Sequence, residues 1–247
     1  MTDADLAECL ATGAGEILLA LQRSGSLTGQ ALGKAGDEQA NAWLMRELAA
    51  ARPDDPILSE EEADSAARLA SHRVWIIDPL DGTREYSEGR DDWAVHVALA
   101  IAGQAIVGAV AVPGLGVTFS SGHPAPLAPA NAPPRMLVSR SRPAQEALDV
   151  AKAIGAELLP MGSAGAKAMA VVRGEADIYL HTGGQYQWDN CAPVAVAQAH
   201  GLHCSRVDGS PVRYNEADTR LPDLLICRPE WAEQVLRLVN PIIPSDT

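Results

Sequence analysis

Residues 74–83 read VWIIDPLDGT, an apolar segment that runs directly into two aspartates and a glycine. Its first four residues are apolar and mostly β-branched, which predicts a buried strand. Pro79 then fixes one backbone torsion and Gly82 relieves another, so a tight turn closes the strand. The strand and the turn together bring the carboxylates of Asp78 and Asp81 to the same place.

Carboxylates elsewhere in the chain fit the same picture. An acidic run, SEEE at residues 59–62, precedes this strand, and Asp189 stands after Trp188 at the start of a predicted helix. Carboxylates and the carbonyl of Leu80 supply the hard oxygen ligands that Mg²⁺ prefers in a hydrolytic metal centre. Taken singly, an Asp-Gly turn, an acidic run and a helix-starting aspartate are typical of turns, solvated faces and N-caps. Their combination favours a metal site.

The composition describes an acidic globular protein. Of its 247 residues, 47% are hydrophobic and 21% are charged, which suits one large unit or two associated halves. The formal net charge of −13 disfavours a nucleic-acid polymer or an anionic membrane as partner. No run approaches about 18 apolar residues, and Asp3, Asp5 and Glu8 stand where a signal peptide is basic. We therefore expect a cytoplasmic protein that acts on a small molecule.

Apolar periodicity divides the chain into helices and strands. Helical spacing predicts a first helix from Asp5 to about Arg23 and a second that follows Gly36 and stops before Pro53. Apolar runs predict strands at residues 56–59, 74–78, 93–101, 105–112, 136–139, 157–159, 176–180, 202–206 and 224–227. Further helices are predicted after Pro143, over residues 163–172, after Asp189 and from Pro229.

A proline-rich stretch at residues 122–135 separates two parts of the chain. It has neither helical nor strand periodicity, so we place the domain boundary there. We predict an N-terminal α+β lobe over residues 1–125 that carries most of the metal ligands. The C-terminal α/β lobe, residues 135–247, then carries Asp189 and the substrate contacts.

These motifs resemble those of the inositol monophosphatase superfamily, the magnesium-dependent, lithium-sensitive phosphomonoesterases. The resemblance rests on SEE at 59–61, WIIDPLDGT at 75–83, and WD at 188–189 with AP at 192–193, supported by GD at 36–37 and MGSA at 161–164. The continuation DGTREY at 81–86 is most similar to the CysQ-type branch, the 3'(2'),5'-bisphosphate nucleotidases, whose turn usually reads DGTKEF. The resemblance implies an α+β, layered α/β/α/β/α sugar-phosphatase fold with two sheet-containing lobes.

The resemblance also implies a role for each site residue. Two or three magnesium ions would be held by Glu60, Asp78, the Leu80 carbonyl, Asp81 and Asp189. Asp37 and the Thr83 hydroxyl would orient and deprotonate the attacking water, and the N–H groups of Gly82 and Thr83 would hold the phosphate. Substrate contacts are expected from Glu60, Leu80, Gly82, Thr83, Ser163 and Asp189. Bound cations also explain how a protein of such negative charge accepts a phosphate dianion.

Several residues keep two interpretations. Ser163 is either a sugar contact or an N-cap, and His96 is more typical of a structural histidine than of a magnesium ligand. The aromatic rings of Trp93, Tyr186 and Trp188 either stack on a base or pack in the core. Arg84 and Lys167 are interpreted as surface charges rather than phosphate ligands. The segment GGQYQ at 183–187 replaces the one where inositol phosphatases carry a sugar-binding Glu, and the residues after Trp188-Asp189 are unusual, which weakens the inositol interpretation.

The expected function is that of a magnesium-dependent phosphomonoesterase. It would hydrolyse the 3'-phosphate of 3'-phosphoadenosine 5'-phosphate to AMP and phosphate, as in sulfate assimilation, and lithium would inhibit it. One alternative is inositol-1-monophosphatase or fructose-1,6-bisphosphatase activity. Another is a non-catalytic magnesium or nucleotide sensor, although Asp37 and Thr83 argue for catalysis. The resemblance also suggests a homodimer.

Overall fold

The structure is a computed structural model that describes residues 1–240. Its helices are α1 (Asp3–Ser24), α2 (Gly29–Ala51), α3 (Thr83–Ser87), α4 (Gln145–Ile154), α5 (Ala164–Val172), α6 (Gln187–Ala199) and α7 (Pro229–Val239). Its strands are β1 (Ile57–Ser59), β2 (Arg73–Asp81), β3 (Ala94–Ile101), β4 (Gln104–Val112), β5 (Val117–Ser120), β6 (Arg135–Ser139), β7 (Glu157–Met161), β8 (Ile178–His181), β9 (Gln185–Tyr186), β10 (His203–Ser205), β11 (Arg220–Leu221) and β12 (Leu224–Cys227).

The strands form two five-stranded sheets and a small two-stranded one. The first large sheet has the order β1-β2-β3-β4-β5, in which only the β1-β2 pair is parallel. The second has the order β10-β12-β8-β6-β7, with β6 parallel to both of its neighbours. Strands β9 and β11 pair antiparallel and form the small sheet, and α6 follows β9 directly. Each large sheet is therefore built from one contiguous part of the chain.

Three hydrophobic cores define the layers. Helices α1 and α2 cover one face of the first sheet, and α5 and α6 fill the space between the two large sheets. Helices α4 and α7 cover the outer face of the second sheet. The α/β/α/β/α layering with two sheet-containing parts is thus confirmed. The lobe boundaries at residues 1–125 and 135–247 stay a prediction, and the last seven residues of the second lobe lie outside the described residues.

Helix α2 begins about two turns earlier than the sequence predicts. The expected start after Gly36 is wrong because the helix continues back to Gly29 through glycines that lower its apparent helical signal. These glycines permit a close approach to α3: a Cβ at Gly36 would lie 2.9 Å from Cε1 of Tyr86, and one at Gly33 would lie 2.9 Å from Cγ2 of Thr83. The tight packing places Asp37 on the helix face next to the start of α3.

The remaining elements follow the sequence closely, with a few additions. The short strands β5, β9 and β11 and the single-turn helix α3 are absent from the prediction. Helix α6 begins at Gln187, before Asp189 rather than after it. Among residues 1–240, no helix combines the length and the apolar character that crossing a membrane would require.

Candidate active site

The end of strand β2 presents two buried carboxylates. The strand runs through Pro79 to Asp81, and its register against β3 shifts between Asp78 and Asp81. Such an irregularity redirects side chains that regular alternation would place differently. Oδ1 of Asp78 accepts a hydrogen bond from the Leu80 N–H at 3.0 Å, and Gly82 follows with φ +91° before α3 begins. Glycine is favoured there because other residues rarely adopt this φ.

Asp81 is fixed by the start of helix α5. Its carboxylate accepts hydrogen bonds from the Ser163 hydroxyl at 2.5 Å, from the Gly165 N–H at 2.6 Å and from the Ala164 N–H at 3.2 Å. On the opposite side, Nε2 of His96 lies 3.2 Å from Oδ2 of Asp81. Both oxygens therefore have partners, and Asp81 links β2 to α5 across the layer boundary.

Ser163 plays the N-cap role that the sequence left open. Its hydroxyl oxygen accepts from the Ala166 N–H at 3.0 Å while the hydroxyl donates to Asp81. The residue is buried, and it lines the cavity beside the carboxylates. The N-cap is thus present in the structure, and the sugar contact stays a prediction.

Asp189 joins the two aspartates from helix α6. It occupies the third helical position, where Oδ2 accepts from the Tyr186 N–H at 2.6 Å in a capping box. The N-cap interpretation of Asp189 is therefore wrong, since Tyr186 is the N-cap. Carboxylate oxygens of Asp78, Asp81 and Asp189 all lie within 4.8 Å of one another. The structure brings together three of the predicted metal ligands.

Glu60 approaches the same cluster from strand β1. Because β1 pairs parallel to β2, the Glu60 N–H donates to the Ile77 carbonyl at 3.4 Å and the side chain follows the strand end. The loop is anchored by the Ser59 hydroxyl, which donates to Oδ1 of Asn41 at 2.7 Å, while Nδ2 of Asn41 donates to Glu62 at 2.8 Å. Glu60 lies at the exposed edge of the cluster, while its carboxylate faces those of Asp78, Asp81 and Asp189.

Asp37 and Thr83 meet where α2 packs on α3. The Thr83 hydroxyl donates to the Leu80 carbonyl at 3.2 Å, and the same side chain also interacts with the carboxylate of Asp37. Partial burial and repulsion from Glu61 and Glu60 raise the pKa of Asp37 to about 7. The predicted catalytic pair is therefore adjacent, and Asp37 holds its proton more tightly than an ordinary aspartate.

Burial and mutual repulsion of the carboxylates dominate the electrostatics of the cluster. Burial and repulsion from neighbouring carboxylates raise the pKa of Asp78 well above its usual range. The same causes raise the pKa of Glu60 to about 7 and that of Asp189 to about 6. Burial alone would also raise the pKa of Asp81, but the His96 side chain and the α5 donors lower it to about 2. Divalent cations would relieve this repulsion, and the hard oxygen donors fit them.

A metal-free sample should lose stability as the pH rises from about 4 to about 7. In the unfolded chain these carboxyls release their protons near pH 4, whereas in the folded chain Asp37, Glu60 and Asp189 keep theirs to about 6 or 7. Folding then binds protons in this window, so the free energy of unfolding falls with pH. Differential scanning fluorimetry in chelator, at pH 5 and pH 7.5, checks this expectation.

Added Mg²⁺ should reverse the loss mainly at the higher pH, where the carboxylates are free to bind it. At about 100 times the dissociation constant, a ligand stabilises by about 2.7 kcal/mol. For a chain of this length that corresponds to a rise of about 5–10 °C in Tm. An equal Mg²⁺-dependent rise in Tm at pH 5 and pH 7.5 would contradict the idea that Glu60 and Asp189 hold the metal.

A cavity of about 330 Å³ opens beside the cluster. Asp81, Thr83 and Asp189 line one side of it, and the other side carries basic side chains together with Glu85, Tyr179 and small or polar residues. The basic residues among its lining are Arg84, Arg140, Arg142, Lys167 and His181. The site therefore pairs an acidic half with a basic half.

Lys167 is a residue that the sequence analysis misjudged. Its interpretation as a surface charge is wrong, because the side chain is buried on helix α5. Nζ donates to the Ser163 carbonyl at 2.8 Å and to the Gly162 carbonyl, and it lies 5.2 Å from the centre of the Tyr179 ring. Burial lowers its pKa. A lysine in the otherwise apolar helix AGAKAMAVV was the available signal; Arg84, by contrast, is exposed as predicted.

The basic residues of the β6–α4 segment were missed as well. Arg140 and Arg142 follow the carboxyl end of β6, and both line the cavity. Ligands of sheets with parallel strands commonly bind at carboxyl ends of strands, which is the signal that the SRSR run at 139–142 offered.

The ring systems near the site contact one another or the backbone. Nδ1 of His96 lies 3.0 Å from the Trp188 carbonyl, so this histidine ties Asp81 to α6. Trp93 is buried and packs edge-on against Tyr86, with ring centres 4.9 Å apart. It is thus a packing residue. Tyr186 and Trp188 stack on each other at 4.8 Å and 5°, and neither belongs to the cavity lining.

A buried carboxylate cluster at the end of a strand, next to a basic cavity within α/β/α/β/α layers, defines a class of metal-dependent phosphatase. The inositol monophosphatase family model matches residues 4–243, and the chain belongs to this family. It is 52% identical over 219 residues to a 3'-phosphoadenosine 5'-phosphate phosphatase of Mycobacterium bovis, covering 83% of this chain and 80% of that protein.

Two further comparisons extend over nearly the whole chain. A 3'-phosphoadenosine 5'-phosphate phosphatase of Mycobacterium leprae is 46% identical, covering 98% of this chain and 95% of the relative. The crystal structure of CysQ from Bacteroides thetaiotaomicron, a bacterial member of the family, superposes with a TM-score of 0.79 at 25% identity. That match covers 92% of this chain and 97% of the other.

Proposed function

We propose that the protein is a phosphomonoesterase that hydrolyses the 3'-phosphate of 3'-phosphoadenosine 5'-phosphate to AMP and phosphate. The observation that carries the proposal is that the carboxylate cluster of Asp78, Asp81 and Asp189 adjoins a cavity whose other side carries basic side chains. A bisphosphate suits such a site, since one phosphate can be cleaved at metal ions while the other is held by cations. The names of the relatives from Mycobacterium bovis and Mycobacterium leprae support this substrate.

Two or three magnesium ions would be held by Glu60, Asp78, the Leu80 carbonyl, Asp81 and Asp189. When bound, the ions supply Lewis-acid stabilisation of the phosphoryl oxygens and lower the pKa of bound water. The Leu80 carbonyl already accepts from the Thr83 hydroxyl, so the same turn places a ligand oxygen next to the catalytic pair. The donor set of carboxylates and a carbonyl fits Mg²⁺ rather than a softer ion.

Asp37 and Thr83 activate the attacking water in this proposal. Thr83 holds one hydrogen bond to Leu80 and faces Asp37, which can accept the proton released from the water. A base with a pKa near the working pH combines availability with proton affinity. Gly82 and Thr83 would offer their N–H groups to the scissile phosphate, and Ser163 and Asp189 would contact the substrate's sugar.

The second phosphate would meet the basic half of the cavity. Arg142 is exposed at the cavity rim, and its charge acts on His181, as does that of the buried Lys167. A phosphate dianion placed among these groups would gain charge-assisted hydrogen bonds. Substrates with a single phosphate leave this half of the site unused.

Phosphate release from 3'-phosphoadenosine 5'-phosphate, inositol 1-phosphate and fructose 1,6-bisphosphate tests the proposal. We expect the nucleotide to have the highest kcat/KM, by about tenfold or more, because only it combines a 3'-phosphate with a 5'-phosphate at nucleotide spacing. Chelator should abolish release, and lithium should inhibit it. Comparable rates on all three substrates would favour a broad phosphomonoesterase, and binding without release would favour a sensor.

Other expectations accompany this proposal. Hydrolysis of this nucleotide would serve sulfate assimilation, as the CysQ-type resemblance implies. The cytoplasmic location, the homodimer and the exclusion of nucleic-acid polymers and membranes as partners stay predictions.

A further inference from the structure

An ion pair joins the two halves of the site away from the metal ligands. Nη2 of Arg140 donates to Oε1 of Glu85 at 2.8 Å and to Oε2 of Glu88 at 2.9 Å. Glu85 belongs to α3, which follows strand β2 of the first large sheet, whereas Arg140 follows β6 of the second. The side chain of Glu85 is 10% exposed and that of Arg140 is 30% exposed. The pair is therefore a partly buried bridge between the two walls of the cavity.

Gly162 completes this bridge. Its α-carbon lies so close to Glu85 that a Cβ would overlap Cγ and Cδ of the glutamate side chain. The Gly162 N–H donates to Oδ2 of Asp92 at 2.7 Å, and the Arg140 N–H donates to the Met161 carbonyl at 3.1 Å. We call Glu85, Arg140 and Gly162 the clasp. It is packed without room for an added methyl group, so the positions of its three members depend on one another.

The guanidinium of Arg140 is already paired with carboxylates of α3 and its C-terminal end. Two glutamates share its Nη2, and its Nε is buried, so the guanidinium is oriented toward α3 rather than toward a substrate. Arg142, two residues later, is exposed at the cavity. Arg140 thus anchors the segment at residues 139–142 that carries Arg142.

We propose that Glu85 and Arg140 are positioning residues that hold the 139–142 segment in register with Thr83, so that one substrate spans both walls of the cavity. This inference rests on the proposed function, because it assigns the cleaved phosphate to the Thr83 wall and the second phosphate to the 139–142 wall. A displacement of about 1 Å between reacting or binding groups costs up to about a hundredfold, which makes such register valuable.

Each of the two reaction products tests one wall of the cavity. Inorganic phosphate should bind at the metal ions and at Thr83, whereas AMP retains the phosphate that meets residues 139–142. In Glu85→Gln and Arg140→Gln, we expect the inhibition constant of AMP to rise by about tenfold or more. The inhibition constant of inorganic phosphate and the Mg²⁺-dependent rise in Tm should each stay within about twofold of the wild type.

Three further variants complete the experiment. Arg140→Lys keeps the charge and should recover part of the AMP affinity. The double variant Glu85→Gln/Arg140→Gln should have an AMP inhibition constant no higher than that of the more strongly affected single variant. Arg135→Gln is the matched control, since Arg135 lies at the other end of β6 and pairs with Glu157 at 3.3 Å on the surface. Its inhibition constants should not change.

The outcomes decide between positioning and general stability. If AMP and inorganic phosphate weaken in parallel, or if neither changes, the clasp does not position the 139–142 wall and the inference is overturned. Failure of the proposed function looks different. In that case the wild-type enzyme itself would release no phosphate from 3'-phosphoadenosine 5'-phosphate.

Discussion

Replacing Asp78 by asparagine is expected to lower kcat by at least about a thousandfold, or about 4 kcal/mol of transition-state stabilisation. At the same time it should raise the Tm of the metal-free protein. The asparagine side chain would retain an acceptor oxygen for the Leu80 N–H, which is the hydrogen bond that Asp78 makes. The substitution removes a buried carboxyl group whose pKa is raised by burial and by the neighbouring carboxylates. The variant therefore removes a ligand without removing a structural contact.

The two effects are measured separately. Steady-state hydrolysis of 3'-phosphoadenosine 5'-phosphate at saturating Mg²⁺ gives kcat, and fluorimetry at pH 7.5 gives Tm in chelator and in Mg²⁺. The stabilisation by Mg²⁺ should shrink in the variant because one ligand is gone. Near-normal turnover of Asp78→Asn would show that the metal assignment is wrong.

Asp81→Asn is the informative comparison, because it makes the same chemical change in a different environment. The carboxylate of Asp81 accepts from Ser163, Ala164 and Gly165, so an amide group would point its N–H₂ at one of these donors. We expect this variant to lose activity and also to lower the Tm of the metal-free protein. If Tm rises in Asp78→Asn and falls in Asp81→Asn, the loss of a metal ligand can be distinguished from the loss of structural hydrogen bonds.

The sequence predicts the acidic part of the site well because local chemistry encodes it. A β-branched strand followed by Asp-Pro-Leu-Asp-Gly-Thr leaves little freedom for the backbone, and the carboxylates of Asp78 and Asp81 converge as expected. The layered fold is what the resemblance to the family implied, whereas the strand order was not predicted. Where the prediction failed locally, packing overrode propensity: Gly33 and Gly36 reduce the helical signal of α2, yet they permit its contact with α3.

The basic half of the site is a long-range property and was not accessible in the same way. Arg140 pairs with Glu85 across 55 residues of sequence, and Lys167 donates to carbonyl oxygens at the start of its own helix. The Arg140 contact has no local pattern, whereas the contact of Lys167 lies only four residues back along the chain, and the lysine was nevertheless interpreted as a surface charge. Asp189 shows the same limit, since only the structure distinguishes its third helical position from an N-cap.

Asp37→Asn is expected to lower kcat by about 10²–10⁴ while the Mg²⁺-dependent rise in Tm is retained. Asparagine keeps an oxygen that can face Thr83, but it cannot accept the proton of the attacking water. Asp37 lies on α2, outside the group formed by Asp78, Asp81 and Asp189, so metal binding should not depend on it. Turnover and fluorimetry on the same preparation check both parts.

This variant also separates the enzyme from a sensor of the same fold. A sensor needs the carboxylate cluster but has no use for Asp37, so the substitution would leave its behaviour unchanged. In an enzyme, Asp37→Asn should still bind Mg²⁺ and AMP as the wild type does, and only the release of phosphate should stop. Loss of the Mg²⁺ shift together with turnover would instead place Asp37 among the metal ligands. In combination with Asp78→Asn, which should lose turnover and part of the Mg²⁺ stabilisation, the result assigns metal binding and water activation to different residues.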